Sequence, residues 1–473
     1  MLSNVKKFIK KNKEFSLILA VALIARLVFL FATNELWWDS AVYIGMGKHI
    51  FSLGKLGLWE HIRPFFVPFF LGIFWKLNLD VILAGKILEL IFSAGSIVLL
   101  YLIAKNIFNK RTALIAASIF SFSSALFLMN FQLYTEIPAV FLILSGLYSY
   151  LKEKHLLAGL FLGFAFIAKF PAGIFFAILL VVILFSKNIK KISIFCAGFA
   201  LVAVSFFIIN QIAYGSFLLP LIDAKKAIAD VLGCNFLWHK PWHWYFSFIL
   251  LKENFLHIFS LVGIYYFLKK PNTKKTIVFL FLVLPFVYFL QLHCRDWRYL
   301  IVVVPFLVLF VADGINRQIK NKEHFFPIVA IVLVLSAALS LGFYHENTVQ
   351  PSQEQQQYVE FIKNNEIKGE IWSSNPAIVV YSDEKIHKIY YPVFNSEKGW
   401  MFYQYLKNNS GKIEYVFLDR CGGGIICHPD DDECAKNLDY IYSNLNNNFD
   451  IVYDKTRGIC NYRIYRNKLY KLL

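Results

Sequence analysis

The chain has 473 residues, of which 58% are hydrophobic and 18% aromatic, and its formal net charge is +17. A soluble globular domain is about 45–50% apolar and contains no apolar stretches of about 20 residues. Such stretches recur in this sequence, from residues 15–32 to residues 325–343. The composition therefore excludes an ordinary soluble protein. The continuous apolar runs favour a polytopic α-helical membrane protein over a transmembrane barrel, whose strands alternate in polarity.

The positive charge is concentrated in short loops between the apolar runs. Clusters of lysine and arginine lie at residues 6–13, 105–111, 187–191, 269–275 and 317–322. Short basic loops of this kind remain in the cytoplasm and orient the neighbouring helices. We therefore assign the excess charge to membrane topology and to contact with anionic lipid headgroups, and we predict no nucleic-acid partner.

About eleven transmembrane helices are predicted from length and hydropathy. They lie near residues 15–33, 81–104, 112–129, 136–151, 156–169, 172–186, 192–213, 254–268, 276–292, 299–316 and 325–343. The first run contains Arg26 and lacks a small-residue cleavage site, so we predict a retained helix rather than a signal peptide. An odd number of spans predicts a multi-pass plasma-membrane protein with a cytoplasmic N-terminus and an extracytoplasmic C-terminal tail.

Three segments between the predicted helices are not simple loops, and all three fall on the outer side of the membrane. Residues 34–80 place Val42, Met46, Ile50 and Leu53 at helical spacing, which predicts a helix lying in the membrane interface. Residues 214–252 contain the aromatic stretch "FLWHKPWHWYF", which is typical of the headgroup level. The third segment is the short turn "HCRDWRY" at residues 293–299.

The tail, residues 345–473, is polar and alternates between strand and helix patterns. Helices are predicted from Ser352 onward, over 396–409 and over 433–447. Strands are predicted at "EIWSSNP", "AIVVYSD", "EYVFLD", "DIVYD" and "YRIYR". The tail is therefore predicted to form a soluble extracytoplasmic α/β domain.

Four of the seven cysteines lie in this tail: Cys421, Cys427, Cys434 and Cys460. An even number in a small extracytoplasmic domain predicts two disulfides, for which three pairings can be drawn. The alternative is a metal site made of these thiols, His428 and the acidic run 430–433. We favour disulfides because the tail contains no tight C-x-x-C pair.

Charged residues cluster at the outer ends of the predicted spans, although a charge within a span costs about 2.5–3.5 kcal/mol and usually faces a cavity or a partner. The cluster comprises Asp39, Glu60, His61, Arg63, Glu136, Lys169, His293, Arg295, Asp296 and Arg298. Taken singly, Asp39 could cap a helix, Glu136 could begin one and Lys169 could reach the headgroups from a helix end. Such separate roles do not explain why acids and cations are sorted to one face, so the set predicts a functional pocket at headgroup level.

A pocket of acids and cations at this level suits a reaction on a lipid phosphate. Lysine and arginine stabilise the negative charge of a leaving phosphate, and a carboxylate can accept the proton of an incoming hydroxyl. Transfer of a sugar from a polyprenyl phosphate to a hydroxyl requires both. The alternative is a transporter or flippase for lipid-linked sugars. We disfavour it because only Arg26 and Glu89 lie in mid-span and no internal repeat is evident.

Five motifs occur in a fixed order between residues 15 and 345: "WWDSAVYIGMGKHI", "HIRPFFVPFFLGIF", "YTEIPAVFLILSGLYSYL", "LGFAFIAKFPAGIF" and "HCRDWRYLIVVVPFLVLFVADGI". In this series the chain resembles the GT-C superfamily of membrane glycosyltransferases, most closely the branch of the protein O-mannosyltransferases and the bacterial lipid A aminoarabinose transferases. It departs from the mannosyltransferases in two respects. Asp39 is followed by Ser40 rather than by a second acid, and the α/β tail stands in place of their β-trefoil.

The resemblance implies a GT-C catalytic domain over residues 1–344, and an inverting transfer of a sugar from a polyprenyl- or dolichyl-phosphate donor to a hydroxyl of a lipid, glycan or protein. It implies that Asp39 is the catalytic base and Glu136 the second acid. These two acids could also hold a divalent metal ion, and no other cofactor is predicted. The loop 214–252 is expected to close over the lipid donor.

The resemblance also implies two sets of binding residues. The donor phosphate is expected to contact Lys169, Arg295, Arg298 and Arg63. The acceptor or substrate pocket is expected to contain Glu60, His61, Tyr43, His293 and Tyr299.

Overall fold

The computed structural model describes residues 9–31, 36–230, 240–292, 295–321, 323–348, 360–361, 363–365, 367–389, 393–419, 426–427, 430–457 and 460–471. Four sequence predictions lie outside these residues: the roles of His293, Cys421 and His428, and the start of a helix at Ser352.

The membrane part consists of helices joined by short loops. In chain order the helices are α1 (Lys13–Leu30), α2 (Trp38–Phe51), α3 (Phe66–Lys76), α4 (Val81–Ile107), α5 (Lys110–Ser121), α6 (Ser124–Met129), α7 (Glu136–Leu151), α8 (His155–Ala168), α9 (Gly173–Leu184), α10 (Ile189–Tyr214), α11 (Leu219–Asp230), α12 (Trp244–Phe248), α13 (Ser260–Lys269), α14 (Thr273–Gln291), α15 (Val304–Gln318) and α16 (Phe325–Asn347). Short 3₁₀ or π turns precede α9, α13 and α15.

Polar caps fix where several of the long helices begin. The Asp80 carboxylate accepts the backbone N–H groups of Ile82 and Leu83 at 2.9 and 3.0 Å, ahead of α4. Asn109, Asn188 and Asn272 cap α5, α10 and α14 in the same way. Each cap satisfies N–H groups that have no partner within the helix, so the apolar runs start at defined residues.

Four helices of the described part are long and apolar enough to cross a membrane: α4, α10, α14 and α16. A fifth candidate, Trp244–Glu253 with Phe255–Lys269, is bent by 118°. The prediction of eleven spans is therefore not confirmed. The predicted span 112–129 is divided between α5 and α6. The helix α1 carries three charged residues within its 18.

The 118° bend lies at Glu253 and Asn254, and its polar groups are satisfied inside the helical core. The Glu253 carboxylate accepts hydrogen bonds from the Ser123 hydroxyl and, at 2.8 Å, from the N–H of Ala125. Asn254 donates to the Ser336 hydroxyl at 2.9 Å. A broken helix is tolerated at membrane depth only where its backbone and polar groups find partners in protein, and the break between α5 and α6 supplies them.

Two pairs of glycines bring neighbouring helices into backbone contact. A Cβ atom added to Gly159 on α8 would lie 2.0 Å from the Phe195 carbonyl oxygen on α10, and one added to Gly198 would lie 2.2 Å from the Leu156 oxygen. Gly263 and Gly314 meet in the same way between α13 and α15. Small residues let membrane helices approach closely and gain packing contacts, which replace the missing hydrophobic driving force in lipid.

The described residues of the tail form a five-stranded mixed sheet with two packed helices. The elements are β1 (Glu370–Ser373), α17 (Ile378–Tyr381), β2 (Ile386–Ile389), β3 (Val393–Phe394), α18 (Ser396–Asn408), β4 (Ile413–Asp419), β5 (Ile426–Cys427), α19 (Asp432–Asn448), β6 (Phe449–Arg457) and β7 (Cys460–Asn467). The strand order is β2-β1-β4-β7-β6, and β3 pairs with β5 separately. The pairs β1–β2 and β1–β4 are parallel, whereas β7 is antiparallel to β4 and β6.

The two faces of this sheet pack against different partners. Trp372, Val416 and Leu418 lie on one face, in a core with Leu406 of α18 and Ile441 of α19. Side chains of the opposite face belong to the main core of the helical part: Ile371, Tyr415, Phe417 and Ile464. The sheet therefore lies between its own helices and the membrane part.

One strand prediction in the tail is wrong. The segment "AIVVYSD" forms the short helix α17, and the strand follows it at β2. The Asn375 side chain accepts the N–H of Ala377 at 2.9 Å and so starts a helical turn directly after Pro376. Ile378 and Val379 are both buried in the main core, which satisfies their apolar side chains without a strand.

A disulfide in the tail is confirmed between Cys427 and Cys434. Cys427 and Cys434 are therefore not available as metal ligands. Asp431 accepts the N–H of Cys434 at 2.8 Å and caps α19, which explains one acid of the run 430–433. The pairing of Cys460 stays a prediction.

We expect Gly159→Ala and Gly198→Ala each to destabilise the protein by about 1–3 kcal/mol, because the added methyl group meets backbone atoms that cannot move aside. The measurement is thermal unfolding of the full chain in detergent. Gly342→Ala is the matched control, since a Cβ atom there meets no described atom within 4 Å. Alanine in that open helical position should leave stability unchanged or slightly raised. Equal melting temperatures for all three variants would contradict the close-packing account.

Candidate functional site

Asp39 lies in the first turn of α2, and its carboxylate is held by two arginines. Its Oδ1 atom accepts a hydrogen bond from Arg63 Nη1 at 2.6 Å, and its Oδ2 atom accepts one from Arg298 Nη1 at 2.8 Å. Arg63 belongs to the loop before α3, and Arg298 to the 3₁₀ turn before α15. The structure thus brings together three charged residues that are far apart in the sequence.

Each arginine also contacts a second carboxylate. Arg63 Nε donates to Glu60 Oε2 at 2.9 Å, and Arg298 Nε donates to Asp296 Oδ2 at 2.7 Å. The five side chains are between 12% and 22% exposed, so they are shielded but still reachable from solvent. Because both cations are already paired, an anionic ligand would compete with these carboxylates for them.

Glu136 and Lys169 form a second ion pair, which is buried. Lys169 Nζ donates to Glu136 Oε1 at 2.7 Å, and the Thr135 hydroxyl lies 3.3 Å from Glu136 Oε2. Glu136 is the first residue of α7, and Lys169 directly follows α8. Each charge compensates the other in this buried position. Removal of either partner would therefore leave an uncompensated buried charge, which is strongly destabilising.

Tyrosine rings line the site and link the two ion-paired groups. Arg63 lies 5.9 Å from the centroid of the Tyr43 ring, Arg298 lies 5.2 Å from that of Tyr134, and Lys169 lies 5.7 Å from that of Tyr299. The Tyr43 and Tyr134 rings are 6.3 Å apart. The sequence analysis did not select Tyr134. The sequence feature that could have identified it is its position in "YTEIPAVF", two residues before Glu136.

The two arginines determine the charge of Asp39. Burial would raise the pKa of the Asp39 carboxyl, but the positive charges of Arg63 and Arg298 outweigh it and lower this pKa to about 2. Burial raises the pKa of the Tyr43 and Tyr134 hydroxyls, and the negative charge of Asp39 adds to the effect. The site therefore holds an ionised carboxylate, a weak base while it is paired, beside neutral phenols that can donate hydrogen bonds.

Two contacts join the loop between α2 and α3 to the segment 214–252. His61 Nε2 lies 2.9 Å from Asp223 Oδ2 on α11, and Trp59 Nε1 donates to the Tyr214 hydroxyl at 2.8 Å. Arg295, expected to bind phosphate, instead donates to the carbonyl oxygens of Lys240 and Leu290 at 2.6 and 3.0 Å. Its Nε atom is buried without a hydrogen-bond partner among the described residues.

The acids of the site do not fit a metal ion in this arrangement. Both oxygens of Asp39 face guanidinium groups, and Glu136 faces an ammonium group, so an added cation would meet three positive charges at once. Across the described ranges, no group of three or more His, Cys, Asp or Glu side chains is suited to hold a metal.

Comparisons with known proteins relate this site to a family. Residues 62–210 match the family model described as dolichyl-phosphate-mannose-protein mannosyltransferase, which is less than half of the chain. A comparison with curated proteins finds no match. The matched segment begins next to Arg63 and includes Glu136 and Lys169.

Solved structures with the same fold include ArnT from Cupriavidus metallidurans bound to undecaprenyl phosphate. It has a TM-score of 0.67 and 12% identity, and the match covers 95% of this chain and 97% of that one. The oligosaccharyltransferase AglB from Archaeoglobus fulgidus, in complex with an inhibitory peptide and a dolichol-phosphate, has a TM-score of 0.63 and 12% identity. That match covers 87% of this chain and 70% of AglB.

These likenesses agree with the apolar helices and with the ordered motifs of the sequence. At 12% identity the structural matches show the fold, and the family model adds a sequence match over α3 to α10. The chain is an integral membrane protein with the fold of ArnT, and over residues 62–210 it is similar to the dolichyl-phosphate-mannose-protein mannosyltransferase family.

Proposed function

We propose that the chain is an inverting glycosyltransferase that moves a sugar from a polyprenyl-phosphate donor to a hydroxyl of a lipid, glycan or protein. The observation that carries the proposal is the Asp39 carboxylate held between Arg63 and Arg298 beside the Glu136–Lys169 pair. This shielded site contains cations that can bind a lipid phosphate and a carboxylate that can accept the proton of a hydroxyl. The undecaprenyl phosphate on ArnT and the dolichol-phosphate on AglB support a lipid of this class as donor.

Binding of the donor is proposed to exchange one anion for another. The phosphate takes over guanidinium N–H groups that Asp39 occupies, because arginine presents a planar fork that matches phosphate geometry. Asp39 then loses part of the positive field that lowers its pKa to about 2, and one of its oxygens becomes free. The carboxylate is thus a weak base before the donor binds and a stronger one afterwards.

The reaction is a single displacement at the anomeric carbon. The acceptor hydroxyl oxygen forms a bond to that carbon while the bond from the carbon to the phosphate oxygen breaks. Asp39 takes the hydroxyl proton, and the leaving phosphate keeps the electron pair of the broken bond. Arg63 and Arg298 stabilise its charge, and Lys169 adds to this field from its place against Glu136. Attack opposite the leaving group inverts the configuration of the sugar.

The orientation of the chain forms part of the same proposal. We retain a cytoplasmic N-terminus, about eleven membrane segments and an extracytoplasmic α/β domain over residues 345–473, with the site at the outer surface. The basic loops support this orientation by the positive-inside rule. The Arg295 contacts to Lys240 and Leu290 support a role in holding the segment 214–252 near the donor rather than in contacting its phosphate first.

Asp39→Asn is expected to lower sugar transfer at least a hundredfold, because an amide cannot accept the hydroxyl proton. The measurement is transfer of radiolabelled sugar from a panel of polyprenyl-phosphate sugars in detergent. Glu346→Gln is the control, since Glu346 forms an exposed pair with Lys252 at 2.8 Å and should retain wild-type activity. Full activity of Asp39→Asn would refute the assigned base. Lipid movement between liposome leaflets without donor consumption would favour the flippase.

The same variant should bind undecaprenyl phosphate several-fold more tightly than the wild type, because the competing carboxylate has lost its charge. This advantage of the variant should shrink as the pH falls. Asp39 has a pKa of about 2 in the protein without donor, but the proposed exchange raises that pKa in the bound state. The wild type therefore takes up protons on binding at low pH and binds more tightly there, whereas the variant has no such group to protonate. Weaker binding by Asp39→Asn would contradict the exchange of anions.

Arg63→Lys and Arg298→Lys keep the positive charge but lose the planar guanidinium group, which can donate two parallel hydrogen bonds to one phosphate. Each substitution should therefore raise the KM for the donor about tenfold or more. Steady-state kinetics with varied donor give KM and kcat separately. Arg317→Lys serves as the control because Arg317 pairs with Asp313 on the same helix, α15. A donor KM equal to that of the control in both variants would exclude these arginines as the phosphate site.

A further inference from the structure

The tail contacts the helix that carries Asp39. Lys48 lies near the C-terminal end of α2, and its Nζ atom donates to the Ser382 carbonyl oxygen at 2.8 Å and pairs with Asp383 Oδ1 at 2.9 Å. The Lys48 side chain is 5% exposed, whereas that of Asp383 is 61% exposed. The helix therefore buries a cation whose compensating groups come from the tail.

The same short segment of the tail also binds the rest of the α2–α3 hairpin. Trp75 Nε1, near the end of α3, donates to Asp383 Oδ1 at 3.0 Å. In the loop between the two helices, the N–H of Gly57 donates to the Glu384 carbonyl at 3.0 Å. The N–H of Ile386 donates in turn to the Gly57 carbonyl at 2.9 Å. Gly57 thereby forms one parallel bridge with Lys385, directly before the edge strand β2.

The hairpin has little freedom to move without the tail moving too. A Cβ atom on Gly47 would lie 2.6 Å from the Gly72 nitrogen, so α2 and α3 are in backbone contact. A Cβ atom on Gly45 would lie 2.8 Å from Val379 of α17 in the tail. A shift of α2 along its axis would therefore collide with α3 on one side and with the tail on another.

We propose that the tail is a positioning element of the site: Asp383 and the backbone bridge at Gly57 hold the α2–α3 hairpin, and the hairpin holds Asp39 and Arg63 in register with Arg298. Lys48 and Asp39 are nine residues apart on one helix, about 14 Å along its axis. Arg63 follows Gly57 by six residues. Lys48 and Asp383 are thus positioning residues that act through α2, and the effect on transfer rests on the proposed function.

Electrostatics explains why this contact controls the helix. Only Lys48 of this pair is buried, so removal of the Asp383 charge leaves a buried ammonium group without its compensating carboxylate. Burial lowers the pKa of the Lys48 ammonium, and Asp383 opposes that change. Without Asp383, the least costly response of α2 is to move until Lys48 reaches water, and such a movement carries Asp39 with it.

The test compares Asp383→Asn with Asp454→Asn in the full chain in detergent. Asn keeps an acceptor for Trp75 but removes the charge that compensates Lys48. Asp454 pairs with Arg463 in the same tail at 2.7 Å, between β6 and β7, and serves as the matched control. Amide hydrogen exchange over residues 38–63 should be about tenfold faster in Asp383→Asn and unchanged in Asp454→Asn. Wild-type exchange in Asp383→Asn would overturn the proposal.

Kinetics distinguish positioning from a general loss of folded protein. Displacement of Arg63 should raise the donor KM several-fold and lower kcat, whereas a smaller folded fraction lowers the maximal rate and leaves KM unchanged. Lys48→Met removes the buried charge, so adding Asp383→Asn to it should produce little further change. Additive effects of the two substitutions, or an unchanged KM, would contradict action through this pair.

The exchange measurement separates the failure of this proposal from that of the proposed function. A wild-type protein that consumes no polyprenyl-phosphate sugar and binds no undecaprenyl phosphate would refute the proposed function. The exchange rates over residues 38–63 need no substrate, and they decide in that case whether the tail holds the hairpin.

Discussion

The shared ion pair of Asp39 with Arg63 and Arg298 is the interaction on which the arrangement of the site depends. It joins the start of α2, the loop before α3 and the turn before α15. Without the two arginines the shielded Asp39 carboxylate would lose both of its cations, whereas each arginine keeps a second carboxylate. Their mutual attraction therefore fixes three segments at one point. Under the proposed function, the same two cations that hold these segments together also bind the donor phosphate.

The sequence predicts which charged residues belong to the site more readily than it predicts the ion pairs that they form. Charges at the outer ends of apolar runs select Asp39, Arg63, Glu136, Lys169 and Arg298, and the structure brings these five together. The spacing of residues along the sequence does not show which carboxylate pairs with which cation, because the pairs form between segments that are far apart in the chain. The contacts of Lys169 with Glu136 and of Arg295 with two backbone carbonyls were therefore not predicted. The roles of both residues at the phosphate stay predictions.

Helix and strand predictions succeed where local signals are sufficient and fail where distant parts of the chain decide the structure. Long apolar runs with an Asx cap, such as the one after Asp80, become single helices because one local cap and one continuous apolar surface suffice. Breaks within a run, such as the one between α5 and α6, depend on polar partners contributed by another part of the chain. The segment "AIVVYSD" has the composition of a strand, yet the Asn375 turn and a place in the main core make it a helix. Tertiary context overrides propensity at such places.

The bend at Glu253 has a consequence for how the protein is made. Its carboxylate finds its hydrogen-bond donors at Ser123 and Ala125, about 130 residues earlier in the chain. A bent, charged segment has no stable place in lipid on its own. Synthesis from the N-terminus makes the α5–α6 segment before residues 244–269, so the bend is made after its hydrogen-bond donors. A rearranged chain order that placed residues 244–269 first would make the bent segment before those donors.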